Sequence, residues 1–391
     1  MKADLNITFY REKRFKETPI GKIPEDWNVI KLGAILNLKN GERPKISKTG
    51  KIPIYGANGV MGFTTEFLID NDFTIIIGRV GASGEVHLGQ GKIWVSDNAI
   101  YSENYNKHKT YLPFIYYLLK LKNLSRFATK TTHPIITQTF LKSLSIQLPP
   151  LPEQKAIAHV LSTVDEAIRK TNEIIERIKR FKKGLMQELL TRGIGHKEFK
   201  DTEIGRIPKE WIILKLSKVL KLGSGKPRPS EISKVPTKDA PYPVYGGNGI
   251  LGYADKFLFN KETIVIGRVG EYCGAVYRTS GPSWITDNAL YAKEIASILD
   301  LDFLKYLLIF LNLNKYKKKS GQPLLTQTII YSIKIPIPSL KEQRKIAEIL
   351  STVDKRLEVE KKRKEKLERI KKALMDLLLT GKVRIKVIKS A

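Results

Sequence analysis

The sequence predicts an α+β protein: two homologous globules, each followed by a long helix, with the two helices paired as an antiparallel coiled coil about a pseudo-twofold axis. Three observations carry this reading. The 391-residue chain repeats itself; the first part of each repeat is rich in Gly, Pro, aromatic and β-branched residues; and the second part carries an unbroken heptad seam.

The repetition is read block by block. TPIGKIPEDW (18–27) returns as TEIGRIPKEW (202–211), IYGANGVMG (54–62) as VYGGNGILG (244–252), and IIGRVG (76–81) as VIGRVG (265–270). WVSDNAIY (94–101) returns as WITDNALY (284–291), ITQT (136–139) as LTQT (325–328), and EQKAIAHVLSTVD (153–165) as EQRKIAEILSTVD (342–354). The near-constant spacing confines insertions between the copies to a few loops. It divides the chain into an N-terminal arm (1–16), a first globule (17–148), a central helix (149–192), a linker (193–200), a second globule (201–337), a C-terminal helix (338–380) and a tail (381–391).

Within each globule, FTIIIG (73–78) and ETIVIG (262–267) read as strands. Residues 111–122 and 301–313 read as one helix each, apolar on most faces and therefore buried. Asn58-Gly59 and Asn248-Gly249 suit tight hairpin turns, and Asp97-Asn98 with Asp287-Asn288 an Asx-type turn closing a strand.

The long helices follow from spacing. Ile157, Leu161, Val164, Ile168, Thr171, Ile175, Ile178, Lys182, Leu185 and Leu189 alternate steps of four and three, as do Ile346, Leu350, Val353, Leu357, Glu360, Lys364, Leu367, Lys371, Leu374 and Leu378. Pro152 suits a first turn, Ser339 with Glu342 makes a capping box, and Gly193 and Gly381 follow the ends. Helices of about 40 residues reach roughly 60 Å, too long to bury a stripe on one small globule, so the stripes pack on each other. The short linker sets the second globule at the far end of the first helix, which makes the pair antiparallel. Glu360 and Lys364, near the middle of the second seam, read as a register device or a solvated gap.

Charge points to a partner. Lys and Arg number 69 against 39 Asp and Glu, a net charge of +30. A compact protein of that charge repels itself unless a polyanion offsets it, and nucleic acid is the commonest polyanion. A Lys-rich thermophile composition also raises Glu, which here does not keep pace. No apolar run approaches the length of a membrane span, the N-terminus has no secretory apolar region, and Cys273 is the single cysteine, so a cytoplasmic protein without internal disulfides is expected.

Catalytic patterns are missing. The Gly56, Gly59, Gly62 series lacks the lysine and hydroxyl of a phosphate loop; the DNA[IL]Y blocks lack the prolines of an amino-methyltransferase element. His87, His108, His133, His159 and His196 are scattered without metal-site spacing. Recognition without catalysis, and without a cofactor or metal, is the expectation.

Two globules with IGRVG and DNA[IL]Y blocks, each followed by PLPEQ or SLKEQ and a long helix, resemble the specificity subunit of type I restriction-modification systems over nearly the whole chain, about residues 18–380. The resemblance implies that the globules are target recognition domains, each reading one half of a bipartite, asymmetric site on double-stranded DNA. It implies that the helices space them and dock two methyltransferase subunits, with restriction/translocase subunits completing the complex. The one departure, Ser339-Leu340 where the first copy has Pro150-Leu151, touches capping alone. An autonomous DNA-binding regulator and a stand-alone enzyme are the other classes considered.

Positions identical in both copies, such as Tyr55 and Tyr245 or Trp94 and Trp284, suit shared scaffold. The loops that differ are the specificity candidates: 40–53 against 223–243, and 123–136 against 312–325. They supply Arg43, Lys45, Lys48, Lys130, Thr132 and His133 in the first copy and Lys226, Arg228, Lys317, Lys319 and Gln322 in the second, with Gln138 and Gln327 just beyond. Such side chains have donors for base edges and phosphates, and each also fits an ordinary solvated loop. Arg79 and Arg268, beside glycines in both copies, either grip a phosphate or pair internally.

Overall fold

The computed structural model describes residues 7–129, 134–317 and 323–387. The chain forms two compact units, residues 1–172 with 362–391, and residues 173–361. Each long helix is thus shared between units.

The strands of the first unit are β1 (Ile7–Arg11), β2 (Phe15–Lys16), β3 (Ile23–Pro24), β4 (Asn28–Lys31), β5 (Leu36–Asn40), β6 (Ile52–Gly56), β7 (Gly59–Thr64), β8 (Ile69–Gly78), β9 (Val86–Val95), β10 (Ala99–Tyr105) and β11 (Ser145–Leu148). Its helices are α1 (Leu112–Lys122), α2 (Gln138–Ser143) and the first part of α3 (Leu151–Thr191). The second unit has β12 (Phe199–Thr202), β13 (Gly205–Pro208), β14 (Ile212–Lys215), β15 (Leu220–Ser224), β16 (Tyr242–Gly246), β17 (Gly249–Ala254), β18 (Ile264–Gly267), β19 (Val276–Arg278), β20 (Trp284–Ile285), β21 (Ala289–Ile295) and β22 (Lys334–Ile337). With these go the rest of α3, α4 (Leu301–Phe310), α5 (Gln327–Ser332) and the first part of α6 (Leu340–Leu379), whose remainder lies in the first unit before β23 (Val383–Val387).

The first unit is built on a sheet of order β5-β10-β8-β9-β6-β7; in the second the same plan appears as β15-β21-β18-β19 and β17-β16-β20. The end of β8, Ile75-Ile76-Ile77, is apolar without alternation because both faces are covered there. Ile75 and Ile77 pack with Phe114 and Ile115 of α1, while Ile76 faces Ile93, Val95 and Tyr101. β18 repeats this, with Ile264 and Ile266 in one cluster and Val265 in the other. In the β6–β7 hairpin Gly56 pairs with Gly59, so the two-residue loop is Ala57-Asn58 and Gly59 itself takes the left-handed conformation, φ 98°. The Asn-Gly pair therefore does not form the centre of a mirror-image turn; glycine follows the turn and relieves it.

The helix seams are buried or half-buried at every predicted position. In the first unit Ile157 and Leu161 share a cluster with Leu378 and Leu379, and Lys371 Nζ meets Asp165 at 2.5 Å. In the second, Met186 and Leu189 join Ile346 and Leu350, and Lys182 meets Asp354 at 2.5 Å. Within each unit, later α3 residues meet earlier α6 residues, so the segments run antiparallel. Glu360 is no solvated gap: it is buried, and Arg356 one turn away reaches it at 2.6 Å. No helix among the described residues is long and apolar enough to cross a membrane.

The EQ blocks join helix to globule. Gln154 Oε1 accepts from Tyr111 N–H (2.8 Å) while its Nε2 donates to the Lys109 and Pro149 carbonyls (2.8 and 2.9 Å). Gln343 makes the matching bonds to Asp300 N–H and the Ile298 and Pro338 carbonyls. Glu153 accepts from the Trp27 indole (3.2 Å) and pairs with Arg384 (2.7 Å); Glu342 accepts from the Trp211 indole (3.1 Å), Ile194 N–H and His196 (both 2.9 Å). The expected capping box is therefore half formed. Ser339 Oγ accepts from Glu342 N–H (3.3 Å), but the Glu342 carboxylate does not turn back, because three stronger partners hold it elsewhere. Tyr117 and Tyr306 donate to Asp165 and Asp354 at 2.8 Å; burial and then the carboxylate raise both phenols, which keeps them donors.

Candidate nucleic-acid interface

In the first unit Arg79 lies where β8 ends, and the described ends of both variable loops are anchored beside it. Arg79 N–H donates to the Asn98 carbonyl (2.8 Å), and the Arg79 carbonyl accepts from Ile136 N–H (3.1 Å). The segment after the second variable loop is thereby laid along residues 79–80, where Val80 bridges Ile135. Asn98 belongs to the turn between β9 and β10. Ser96, rather than an Asx side chain, closes it: Ser96 Oγ accepts from Asn98 N–H at 3.3 Å and its carbonyl from Ala99 N–H at 2.9 Å.

The first variable loop leaves β5 over the same turn. Gly41 and Glu42 donate N–H to the Ala99 and Val95 carbonyls (both 2.9 Å), and a Cβ on residue 41 would strike the Val95 and Ser96 backbone, so glycine is required there. The Trp94 indole donates to the Glu42 carbonyl (2.9 Å), and Ser47 N–H to Phe63 of β7 (2.8 Å). Loop 41–50 is held at both ends while Arg43, Lys45 and Lys48 stay exposed.

The second unit repeats the arrangement on different loop sequences. Arg268 N–H donates to Asn288 (3.0 Å) and its carbonyl accepts from Leu325 N–H (2.8 Å). Gly225 N–H reaches Ala289 (3.1 Å), Lys226 N–H reaches Ile285 (3.0 Å), and the Trp284 indole donates to the Pro227 carbonyl (3.2 Å). Ser233 exchanges both backbone bonds with Tyr253 (2.8 Å each), and Lys226 and Arg228 are exposed.

Arg79 and Arg268 are half-buried, and neither has an ion-pair partner among the described residues. Among the described residues the Arg268 side chain has only the Ser224 hydroxyl, at 3.5 Å, and its Nε is buried without a partner there. The half-buried Arg278 is neutralised by Asp302 and Glu262, and the buried Arg384 by Glu12, Asp26 and Glu153.

The remaining candidates divide. With its amide turned to suit its neighbours, Gln138 donates to the Leu38 carbonyl (3.1 Å) and accepts from Asn40 N–H (3.0 Å), which braces β5. Gln327, half-buried, opens α5 beside the Thr326 cap, and Lys317 is half-buried at the end of its loop's described part. Lys130, Thr132, His133, Lys319 and Gln322 lie outside the described residues. Burial holds His87, beneath the β6–β7 hairpin, below the ordinary imidazole value, and burial likewise pushes the Cys273 thiol up. No cluster of metal-ligating side chains occurs among the described residues.

Sequence reading named Arg79 and Arg268 but not the residues that follow them in the same loops, 80–85 and 269–275. The matching IGRVG blocks beside them concealed a difference in length. It also passed over Arg384 and His196, whose role is visible once Glu153 and Glu342 are placed.

The family model described as type I restriction modification DNA specificity domain matches this chain twice, over residues 24–180 and 208–369. The chain belongs to this family. Among curated relatives, the type I restriction enzyme MjaVIII specificity subunit of Methanocaldococcus jannaschii is 32% identical, with 97% of this chain and 98% of the relative covered. The putative MjaX specificity subunit of the same organism is 33% identical over 97% and 99%. The crystal structure of the type I restriction-modification S subunit from M. genitalium shares the fold, with TM-score 0.69 at 22% identity, covering 90% of this chain and 96% of that one. Members of the family are the specificity components, not the catalytic ones, of type I systems, and the two-repeat α+β organisation expected from the sequence is the one found.

Proposed function

We propose that each unit reads one half of a bipartite, asymmetric site on double-stranded DNA. In this reading the long helices dock two methyltransferase subunits, and restriction/translocase subunits complete a cytoplasmic complex. One observation carries it. The same framework, built twice, brings the described ends of two non-matching loops of each unit beside a half-buried arginine that has no ion-pair partner among the described residues. An uncompensated guanidinium is costly unless an anion meets it, and a DNA phosphate is such an anion. Phosphate contacts position a protein without reading sequence, which suits an arginine common to both copies; base edges are read by what differs, the loops. Because the loops differ between units, the two half-sites differ.

The test is methylation-site sequencing of the complex reconstituted with its methyltransferase subunits. The chain alone with S-adenosylmethionine transfers no methyl group, and the complex methylates adenine on both strands. Exchanging residues 40–53 and 123–136 for those of another family member changes one half-site only. Both half-sites changing together, or methyl transfer by the chain alone, overturns the reading.

A further inference from the structure

The loop that carries Arg268 is one residue longer than its counterpart, 268–274 against 79–84. Their hydrogen bonds show which residue is added. Gly84 N–H donates to Gly78 and Gly274 N–H to Gly267, both at 2.8 Å; Glu85 N–H donates to Ala82 (3.2 Å) and Ala275 N–H to Tyr272 (3.0 Å). Ser83 Oγ donates to the Arg79 carbonyl (3.0 Å) and Cys273 Sγ to the Arg268 carbonyl (3.3 Å). Glycines of positive φ stand at 81 and 84 and at 270 and 274. Ser83 thus corresponds to Cys273 and Ala82 to Tyr272, and Glu271 is the extra residue.

Neither new side chain is buried in the core. Tyr272 is 45% exposed where the first copy manages with alanine, and Glu271 is exposed with no ion pair among the described residues. Glu271 therefore leaves Arg268, Lys226 and Arg228 un-neutralised while adding negative charge to the surface that faces DNA. A carboxylate repels phosphate, so backbone gripping does not account for it. At a DNA surface a carboxylate can accept a hydrogen bond from an exocyclic amino group, cytosine N4 or adenine N6, in the major groove, and it rejects the keto oxygens of guanine and thymine. The exposed phenol beside it supplies an apolar face and a donor.

Resting on the reading above, we infer that Glu271 and Tyr272 form a base-reading element of the second unit alone, with Glu271 selecting an amino-bearing base. The first unit, with Ala82 and no added residue, has no equivalent.

The experiment is selection from a pool of randomised sites by the reconstituted complex, comparing wild type, Glu271→Gln, and a variant lacking Glu271 with Tyr272→Ala, which restores the length and the alanine of the first unit's loop. In Glu271→Gln, whose amide both donates and accepts, preference for an amino-bearing base at one second-half position falls about tenfold or more. The first half-site is unchanged, and affinity for unrelated DNA rises because a repulsive charge is gone; a merely structural role lowers it instead. The shortened loop loses the same preference. An unchanged second-half profile in folded Glu271→Gln, or a change in the first half, overturns the inference. If wild type selects no sequence in either half, the reading beneath it falls as well, so the two failures are told apart.

Discussion

Replacing Arg79 and Arg268 by alanine, singly and together, isolates the anion-binding step from the fold. Each substitution leaves the backbone bonds intact, because Arg79 uses N–H and C=O toward Asn98 and Ile136, and Arg268 toward Asn288 and Leu325. No carboxylate is stranded, since neither guanidinium has an ion-pair partner among the described residues. The thermal midpoint therefore stays within a degree or two of wild type. On DNA the effect is large: losing a charge-assisted hydrogen bond of about 1.5–3 kcal/mol weakens binding roughly 10- to 150-fold per arginine at low salt. Each phosphate contact also contributes about 0.9 to the slope of log K against log salt, so the double variant is shallower by about 1.8. Between 50 and 200 mM salt that makes wild type lose about 12-fold more affinity than the double variant does. Anisotropy titration of the reconstituted complex across that range measures it. Arg278→Ala is the control. It strands the part-exposed Asp302 and Glu262, costs about 1 kcal/mol of stability and leaves the salt slope alone. A double variant with the wild-type slope refutes the assignment of these arginines to phosphate.

Three further outcomes are expected. Gln154→Leu leaves Tyr111 N–H and the Lys109 and Pro149 carbonyls without their partner, costing about 3 kcal/mol in a thermal or denaturant melt; a loss below about 1 kcal/mol contradicts the bracing role. Trp94→Phe removes the bond to the Glu42 carbonyl, so amide exchange quickens in loop 41–50 while the global melt stays near wild type, and unchanged exchange there shows that the indole does not hold the loop. Asp26 is held below its ordinary value first by its hydrogen bond to Arg384, and Glu12 chiefly by the Arg14 N–H. That stabilisation is complete above the ordinary values of 3.8 and 4.5 and is lost as pH falls through the lower folded-state values, so the β1–β23 pairing opens to hydrogen exchange in acid, below about pH 4. Protection that persists to pH 2 contradicts it.

What the sequence made legible was what repeats with a period. The seam from Ile157 to Leu189 and the run Ile75-Ile76-Ile77 follow from hydrophobic spacing, and the duplicated blocks give the two-unit plan without any coordinates. Long-range polar partners have no period. Nothing local joins Glu153 to Arg384, 231 residues away, or Gln147 to the Leu379 carbonyl. For the same reason the capping box was read at Ser339, where the local pattern was right, while the Glu342 carboxylate answered to His196 and Trp211. In the candidate site, variable loops could be named by comparing copies. That Arg79, the Ser96 turn, Gly41 and Ile136 meet at one end of a sheet is a matter of topology, and the loop holding Glu271 hid behind a matching block.

The duplication itself supplies a control on function. A residue kept in both copies is explained when its partner is internal: Trp94 and Trp284 each hold a loop carbonyl, Gln154 and Gln343 each hold three backbone groups, and Tyr117 and Tyr306 each donate to an aspartate. Arg79 and Arg268 are kept as strictly and lack such a partner among the described residues. A scaffold role needs only their backbone, which any residue other than proline supplies. If each unit reads one half of a DNA target, as proposed above, an anion common to both halves, whatever bases each contains, accounts for the long cationic side chain. The phosphate backbone is the part of DNA that meets this condition, so in the proposed reading these two arginines mark the surface against which the differing loops would read bases.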